Sequence, residues 1–242
     1  MAAADARREL TFLLAAPERR LLCAIARRLP PWVTSDHLTL LGVIGALGAG
    51  TAYALSTLDP AWLWAASALL CVNWFGDSLD GTLARVRRAE RPRYGYYLDH
   101  VVDAFATAAI GVGIGLSPYV DLGIALAGVL AYLVLSINVY LESAALGVFR
   151  LGYGRLGPTE TRIVLVIANA LLALSGPGAV PVMIANGVAA ALTLGMLALV
   201  AVRMARNLRE LAQLEPPRRE PPPSLPAPAS YRTAVTAARA SR

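Results

Sequence analysis

The sequence predicts an all-α integral membrane protein, and three observations support that fold class. The chain of 242 residues is 57% hydrophobic and only 16% charged. Its apolar residues fall in continuous blocks of about 20 residues, the length of a helix that crosses a bilayer. The chain has no lysine, and its arginines are confined to alternate links between these blocks. We therefore expect a bundle of six transmembrane helices.

An amphipathic helix is expected ahead of the first apolar block. Its apolar side would be formed by Leu21, Leu22, Ile25 and Leu29. Arginines occupy the opposite side, and Pro30-Pro31 would end the helix. This pattern is typical of a helix that lies in the membrane interface. Residues 1–31 are therefore predicted to form a cytoplasmic juxtamembrane segment.

The six apolar blocks are predicted to span the membrane and to form one domain, residues 32–214. They cover roughly residues 38–57, 61–80, 98–117, 120–145, 161–176 and 180–202. Arginines lie in the N-terminal segment, in the second and fourth links and after the last block, and the other links have none. That partition predicts that both termini are cytoplasmic, as in a multi-pass protein of a bacterial inner membrane. It also explains the net charge of +6 without nucleic acid.

Small residues recur at four-residue spacing in two of the predicted spans. They are Gly42, Ala46 and Gly50 in the first span, and Gly111 and Gly115 in the third. Such spacing lets helices approach closely, either within the bundle or across a homodimer interface. We favour packing within the bundle.

The C-terminal segment, residues 215–242, has a different composition. Prolines recur through it, mixed with Arg, Ala and Ser. A segment of this kind cannot bury a core, so a disordered cytoplasmic tail without catalytic residues is expected.

Between the second and third blocks, four carboxylates and an arginine occur within 27 residues. The run reads D-x-x-D-G-x-x-A-R from Asp77 to Arg85, then nine residues, then G-x-x-x-D-x-x-x-D from Gly95 to Asp103. On helices, i,i+3 spacing places the first two acids on one face, and i,i+4 spacing does so for the last two. A charge at bilayer depth costs about 3 kcal/mol on insertion scales. Four acids gathered there need cations to offset them.

The residues of this run suit phosphate chemistry at a metal ion. Acids at the end of one helix and at the start of the next can face each other, and Mg²⁺ binds carboxylate and phosphate oxygens. Gly81 and Ala84 leave room for a ligand beside the backbone, and Arg85 offers a guanidinium fork for phosphate. We therefore expect phosphoryl or phosphatidyl transfer, in which the protein positions groups and neutralises charge.

The spacing of the run resembles the signature of the CDP-alcohol phosphotransferases, also called CDP-alcohol phosphatidyltransferases. Every fixed position of that signature is present between Asp77 and Asp103, and the resemblance extends over about Trp32 to Arg206. It implies an enzyme of phospholipid synthesis that cleaves a CDP-linked donor, transfers a group to an alcohol and releases CMP. It also implies a pair of Mg²⁺ or Mn²⁺ ions, and one substrate that is a lipid.

The resemblance also implies roles for individual residues. The metal ligands would be Asp77, Asp80, Asp99 and Asp103. Asp103 would in addition be the catalytic base that deprotonates the acceptor hydroxyl. The cytidine diphosphate portion would be held by Gly81, Ala84 and Arg85. In one departure, Asp36 stands where many members have an asparagine before Leu38-Thr39, so a nucleotide contact there is not expected.

His100 leaves the choice of substrates open. Asp99-His100-x-x-Asp103 is similar to the choline and ethanolamine phosphotransferase branch, in which this histidine is an acid-base candidate. Glu160, in Gly157-Pro158-Thr159-Glu160, would be its partner. The donor would then be a CDP-amino alcohol and the acceptor diacylglycerol. Either His100 or Asp103 could be the catalytic base.

Three arginines near the fourth link favour the other choice of substrates. Arg150, Arg155 and Arg162 could bind the phosphate of an acceptor such as inositol phosphate or glycerol phosphate. Arginines are expected on that side from topology alone as well. We take CDP-diacylglycerol with a small, optionally phosphorylated alcohol as the first hypothesis, and the amino-alcohol reaction as the alternative.

A cation or proton transporter is a more remote alternative from another functional class. It predicts acids dispersed through the bilayer, often on broken helices at the midplane. Here the acids cluster at the predicted cytoplasmic ends of two spans, beside arginines that would repel cations. That placement favours an enzyme.

Overall fold

The computed structural model describes residues 7–8, 14–149, 157–175 and 181–216. Within these ranges the helices are α1 (Ala15–Arg28), α2 (Ser35–Leu55), α3 (Trp62–Val86), α4 (Pro92–Gly115), α5 (Leu122–Leu146), α6 (Pro158–Ser175) and α7 (Val182–Leu214). Two short strands, β1 (Arg7–Arg8) and β2 (Val148–Phe149), pair in parallel. The predicted all-α class is thus confirmed apart from this two-residue pairing.

Some predicted features lie outside the described residues. They are Arg150, Arg155 and the proline-rich tail from residue 217 onward. The chain divides into two compact units, Met1–Met204 and Ala205–Arg242. The described part of the second unit is residues 205–216, which include the C-terminal end of α7.

Five helices in the described ranges are long and apolar enough to cross a membrane, namely α2, α4, α5, α6 and α7. The predicted second span, residues 61–80, coincides with α3, which is not among them. α3 has 25 residues but carries Asn73, Asp77 and Asp80. Four of its five leucines are buried in protein, with Leu63, Leu70 and Leu79 at 0% exposure. A helix surrounded by other helices can carry polar side chains that a lipid-facing helix cannot.

Close contacts between small residues hold α2 against both α3 and α4. A Cβ atom added to Gly76 of α3 would lie 2.4 Å from the Gly42 nitrogen of α2. One added to Gly113 of α4 would lie 2.2 Å from the Gly50 carbonyl oxygen. These contacts place the predicted small-residue motif of α2 within the bundle. They also bring the acidic ends of α3 and α4 together beside the N-terminal half of α2.

The other predicted small-residue motif, on α4, contacts α5. A Cβ atom on Gly111 would lie 2.2 Å from Val129 Cγ2, and one on Gly115 would lie 2.8 Å from Leu122 Cδ1. Both motifs therefore serve helix packing inside one chain.

α1 packs on the bundle through Leu22 and Ala26, which are buried together with Leu38, Leu79 and Leu83. Leu21, which the sequence also places on the apolar side of this helix, is 51% exposed. The carboxylate of Glu18 accepts hydrogen bonds from Trp74 Nε1 at 2.8 Å and from Thr159 Oγ1 at 2.7 Å. These bonds connect α1 to α3 and α6. Leu22 and Ala26 of α1 are therefore covered by protein, and the position of α1 in a membrane interface stays a prediction.

Candidate active site

Three carboxylates from α3 and α4 converge in the structure. Oxygen atoms of Asp77, Asp99 and Asp103 all lie within 4.8 Å of one another, and each side chain is partly exposed. Asp77 lies in the C-terminal half of α3, and the other two lie one turn apart in the N-terminal half of α4. Oxygen ligands at such separations fit a hard divalent cation.

Asp80 lies in the wall of the same cavity, but other groups hold its carboxylate. Thr39 Oγ1 donates a hydrogen bond to Asp80 Oδ2 at 2.6 Å, and the Gly81 N–H donates to Asp80 Oδ1. Ser35 Oγ donates to the Asp80 carbonyl oxygen at 2.9 Å. The cavity is small and lined by Thr39, Gly42, Asn73, Asp77, Asp80, Asp99, Val102, Asp103 and Ala106. The four predicted acids thus share one site, with Asp80 restrained from α2.

Arg162 of α6 supplies positive charge to this cluster. Its Nη2 donates to Asp77 Oδ2 at 2.8 Å, and its Nε donates to Asn73 Oδ1 at 3.0 Å. Asn73 in turn donates from Nδ2 to the Gly42 carbonyl at 3.0 Å, which fixes its orientation. Nη1 of Arg162 is buried and has no hydrogen-bond partner among the described residues. An internal arginine therefore offsets part of the acidic charge and retains a donor for another group.

The residues predicted to hold the nucleotide follow the acids along α3. Arg85 is exposed, and its Nη2 donates to Thr82 Oγ1 at 3.1 Å. The guanidinium lies over Gly81, since a Cβ atom there would be 3.4 Å from Arg85 Nη1. Ala84 is partly buried on the same helix. The absence of a side chain at Gly81 thus leaves the space that the Arg85 guanidinium occupies.

His100 packs between two tyrosine rings beside Asp99. The ring centroids of Tyr96 and Tyr140 lie 4.1 Å and 4.4 Å from that of His100. His100 Nδ1 lies 3.4 Å from Asp99 Oδ2. Tyr140 comes from α5, so the stack also joins α4 to α5.

Glu160 has partners other than the predicted one. Its Oε1 accepts the Leu14 N–H and its Oε2 accepts the Gly157 N–H, both at 2.9 Å. The side chain is buried between the residue before α1 and the residue before α6. Both carboxylate oxygens serve these backbone groups because N–H groups at helix starts lack partners in the helix. We therefore assign Glu160 to joining chain segments, and not to pairing with His100.

Sequence reasoning missed several residues around the acids. Thr39 and Ser35 donate hydrogen bonds to Asp80, and Asn73 lines the same cavity and accepts a hydrogen bond from Arg162. Tyr140 of α5 contacts the ring of His100, and Tyr132 precedes it by two turns on the same helix. These tyrosines and Ser136 follow one another at four-residue spacing, which puts all three on one helix face. That spacing was a readable signal, although it does not reveal which helix the face meets.

Comparison with known proteins gives two similarities. The sequence profile of the CDP-alcohol phosphatidyltransferase family matches residues 32–208. A phosphatidylinositol phosphate synthase of Cutibacterium acnes (strain DSM 16379 / KPA171202) is 38% identical over 84 residues. That alignment covers 35% of this chain and 38% of the relative, so the chain matches well under half of that protein's length.

Proposed function

Because the chain belongs to the CDP-alcohol phosphatidyltransferase family, we propose that it transfers a phosphatidyl group from CDP-diacylglycerol to a small alcohol and releases CMP. The observation that carries this proposal is the convergence of Asp77, Asp99 and Asp103 within 4.8 Å. Transfer of a group between anionic substrates requires positive charge at the phosphates. Converging carboxylates are a common way for a protein to hold such charge as a divalent cation.

The metal ligands in this proposal are Asp77, Asp80, Asp99 and Asp103, which would hold a pair of Mg²⁺ or Mn²⁺ ions. Carboxylate oxygens are hard ligands and suit either ion. Bound cations would neutralise the donor diphosphate and stabilise the charge that develops on departing CMP. Thr39 supports the assignment of Asp80, because its hydrogen bond restricts the orientations of that carboxylate.

The donor would be bound along α3. Gly81 and Ala84 let the cytidine diphosphate approach the helix, and the exposed Arg85 guanidinium would bind a phosphate. The described hydrogen bond of Arg85 is to the neutral hydroxyl of Thr82, and not to a carboxylate. The positive charge of its guanidinium is therefore available to a phosphate. The diacylglycerol part would remain in the bilayer beside the bundle.

The acceptor would be a small phosphorylated alcohol, with inositol phosphate as the leading candidate. Arg162 supports this choice, since it lies beside Asp77 and has a buried donor without a partner among the described residues. The named relative is a phosphatidylinositol phosphate synthase, which agrees with such an acceptor. Arg150 and Arg155 are proposed to bind the same phosphate, on the sequence argument alone.

Asp103 would act as the base. It would take the proton of the acceptor hydroxyl as that oxygen forms a bond to the phosphatidyl phosphorus. The bond from that phosphorus to the bridging oxygen breaks, and CMP leaves with the electron pair. We prefer Asp103 to His100 for this role because His100 is packed between two rings and only 11% exposed.

The alternative reaction uses a CDP-amino alcohol as donor and diacylglycerol as acceptor. The observation that favours it is the Asp99-His100 pair, with 3.4 Å between Oδ2 and Nδ1. It differs from the main proposal in its lipid substrate and would not need Arg162 as a phosphate-binding residue.

We further propose that α3 also crosses the membrane, which brings the number of spans to six. Six spans with the arginine partition would place both termini and the acidic cluster on the cytoplasmic side of a bacterial inner membrane. A cytoplasmic site suits soluble substrates and CMP release. A homodimer remains part of the proposal, although the small-residue motifs are already used within one chain.

An acceptor panel tests the reaction. Purified protein with Mn²⁺ and CDP-diacylglycerol would be given inositol phosphate, glycerol phosphate, inositol or serine, and in parallel CDP-choline with diacylglycerol. We expect CMP release with a phosphorylated acceptor, and a lipid product of matching mass. Absence of CMP throughout the panel would refute the proposed function.

Variants assign the residues within that assay. Asp80→Asn and Asp99→Asn should each lower the rate of CMP release by about 100-fold or more. Mutation of an outer partner of a metal ligand can already cost about 100-fold, and these variants alter the ligands themselves. Arg162→Gln should raise KM for phosphorylated acceptors more than KM for unphosphorylated ones. Asp121→Asn is the matched control, because Asp121 pairs with Asn186 outside the site. Equal effects of Asp121→Asn and Asp99→Asn would contradict the assignment.

A further inference from the structure

His100 is held in one orientation by contacts from two helices. Tyr96 precedes it by one turn on α4, with ring planes tilted by 30°, and Tyr140 covers it from α5 at 57°. Both centroid distances lie just below the usual range of about 4.5–7 Å for aromatic pairs, so the rings are in close contact and restrict the rotation of the imidazole. A histidine fixed in this way presents Nδ1 in a constant direction.

That direction is toward Asp99. The Nδ1 to Oδ2 separation of 3.4 Å is slightly longer than a normal N–H···O hydrogen bond, so a small rotation of the carboxylate is enough to form one. Asp99 is 41% exposed, against 21% for Asp77, and is therefore the less enclosed of these two acids. A carboxylate that binds a metal ion must keep one rotamer, so a fixed donor beside it lowers the entropic cost of binding.

We propose that His100 is a positioning residue, which donates Nδ1–H to Asp99 and holds that carboxylate in the orientation that binds the divalent cation. The inference rests on the proposed function for the cation, but concerns a step before any chemistry. Tyr96 and Tyr140 contribute by restricting the orientation of the His100 ring. An outer partner of this kind orients a ligand and strengthens metal binding. If His100 were instead an acid-base catalyst, it would act on the substrate, and its replacement would leave the affinity for the metal ion unchanged.

Mn²⁺ binding to the purified full-length protein, without substrates, tests this role. Free Mn²⁺ is measured by electron paramagnetic resonance. His100→Phe keeps an aromatic ring in the stack but removes the donor, and should raise the Kd for Mn²⁺ by about 10- to 100-fold. His100→Asn places an amide near the position of Nδ1 and should restore much of the affinity. His100→Gln places its amide near Nε2 and should not.

Two further variants separate positioning from general damage. His37→Asn is the matched control, because His37 is the other histidine of the chain and caps α2 outside the acidic cluster. It should bind Mn²⁺ as the wild type does. Tyr140→Leu removes one wall of the stack without altering His100 or Asp99, and should weaken Mn²⁺ binding in the same direction as His100→Phe.

The outcomes distinguish the alternatives. If His100→Phe binds Mn²⁺ with wild-type affinity yet releases no CMP, His100 acts on the substrate and the inference fails. It also fails if the Asn and Gln variants are equally weak, or if the wild type binds no Mn²⁺. A wild type that binds Mn²⁺ but releases no CMP with any acceptor refutes the proposed reaction alone. In that case the Mn²⁺ titrations still decide the role of His100.

Discussion

At the scale of single residues, Asp80 is restrained by a neighbour far away in sequence. Thr39 Oγ1 donates to its carboxylate at 2.6 Å and also to the Ser35 carbonyl at 3.1 Å. A hydroxyl has one proton, so these two contacts compete for it. The charged acceptor is the stronger one, which makes Thr39 a donor to the acidic site.

We predict that Thr39→Val weakens the site while leaving the fold intact. Valine has nearly the same shape but cannot donate, and a hydrogen bond to a charged group contributes about 1.5–3 kcal/mol. The expected result is a Mn²⁺ affinity and a CMP-release rate each lower by about 10-fold or more.

Thr51→Val is the control for that experiment. Thr51 donates to the Leu47 carbonyl on the same helix, and its side chain is exposed and far from the acids along α2. If both valine variants behave alike, the effect belongs to α2 as a helix and not to the contact with Asp80.

At the scale of helices, the contact between α2 and α3 depends on the absence of side chains. A Cβ atom on Gly76 would lie 2.4 Å from the Gly42 nitrogen and 2.5 Å from the Leu38 carbonyl oxygen. Both are backbone atoms, so neither can rotate away. The helices would have to separate, and the acids of α3 would move relative to Thr39 and α4.

We predict that Gly76→Ala lowers both thermal stability and activity. Overpacking of a tight interface costs about 1–3 kcal/mol, and the melting temperature in detergent should fall accordingly. Gly187→Ala on α7 is the matched control, because a Cβ atom there has no described neighbour within 4 Å. If Gly76→Ala had the same melting temperature as the wild type, α2 and α3 would not be in this close contact.

Another link between helices is a buried ion pair. Arg203 Nη2 of α7 lies 3.1 Å from Glu142 Oε2 of α5, and their side chains are 12% and 2% exposed. Removal of one partner from such a pair leaves a buried charge uncompensated. The pair belongs to the packing of α5 with α7, apart from the carboxylates that converge between α3 and α4.

At the scale of the whole molecule, the number of spans decides where the termini lie. Five helices in the described ranges have the length and composition of spans, and α3 is the helix proposed as an additional one. An even number returns the chain to the side on which it began, and an odd number does not. The arginine distribution predicts the even number.

We predict that reporters at either terminus both report the cytoplasm. Fluorescent protein fusions would fluoresce at both ends, and alkaline phosphatase fusions would be inactive at both. A fusion after residue 59, in the link between α2 and α3, should behave in the opposite way. Termini on opposite sides would mean that α3 does not cross the membrane.

Much of this protein was readable from the sequence because its signals are local. Apolar blocks of spanning length indicated helices, and i,i+3 and i,i+4 spacing put the acids on helix faces. The small residues at Gly42 and Gly50 indicated close packing. Even the chemistry of the site followed from the short run between Asp77 and Asp103, in which residue types and spacing occur together.

Only the tertiary structure decided which distant residues complete that site. Thr39 reaches Asp80 across 41 residues, and Arg162 reaches Asp77 across 85. The structure also shows that Glu160, which the sequence suggested as a partner of His100, instead joins the starts of α1 and α6. His100 itself packs against Tyr96 and Tyr140. The physical reason is that periodicity shows which residues share a face of one helix. Which face meets which depends on packing between helices, and for α2, α3 and α4 that packing is set by close backbone contacts at glycines.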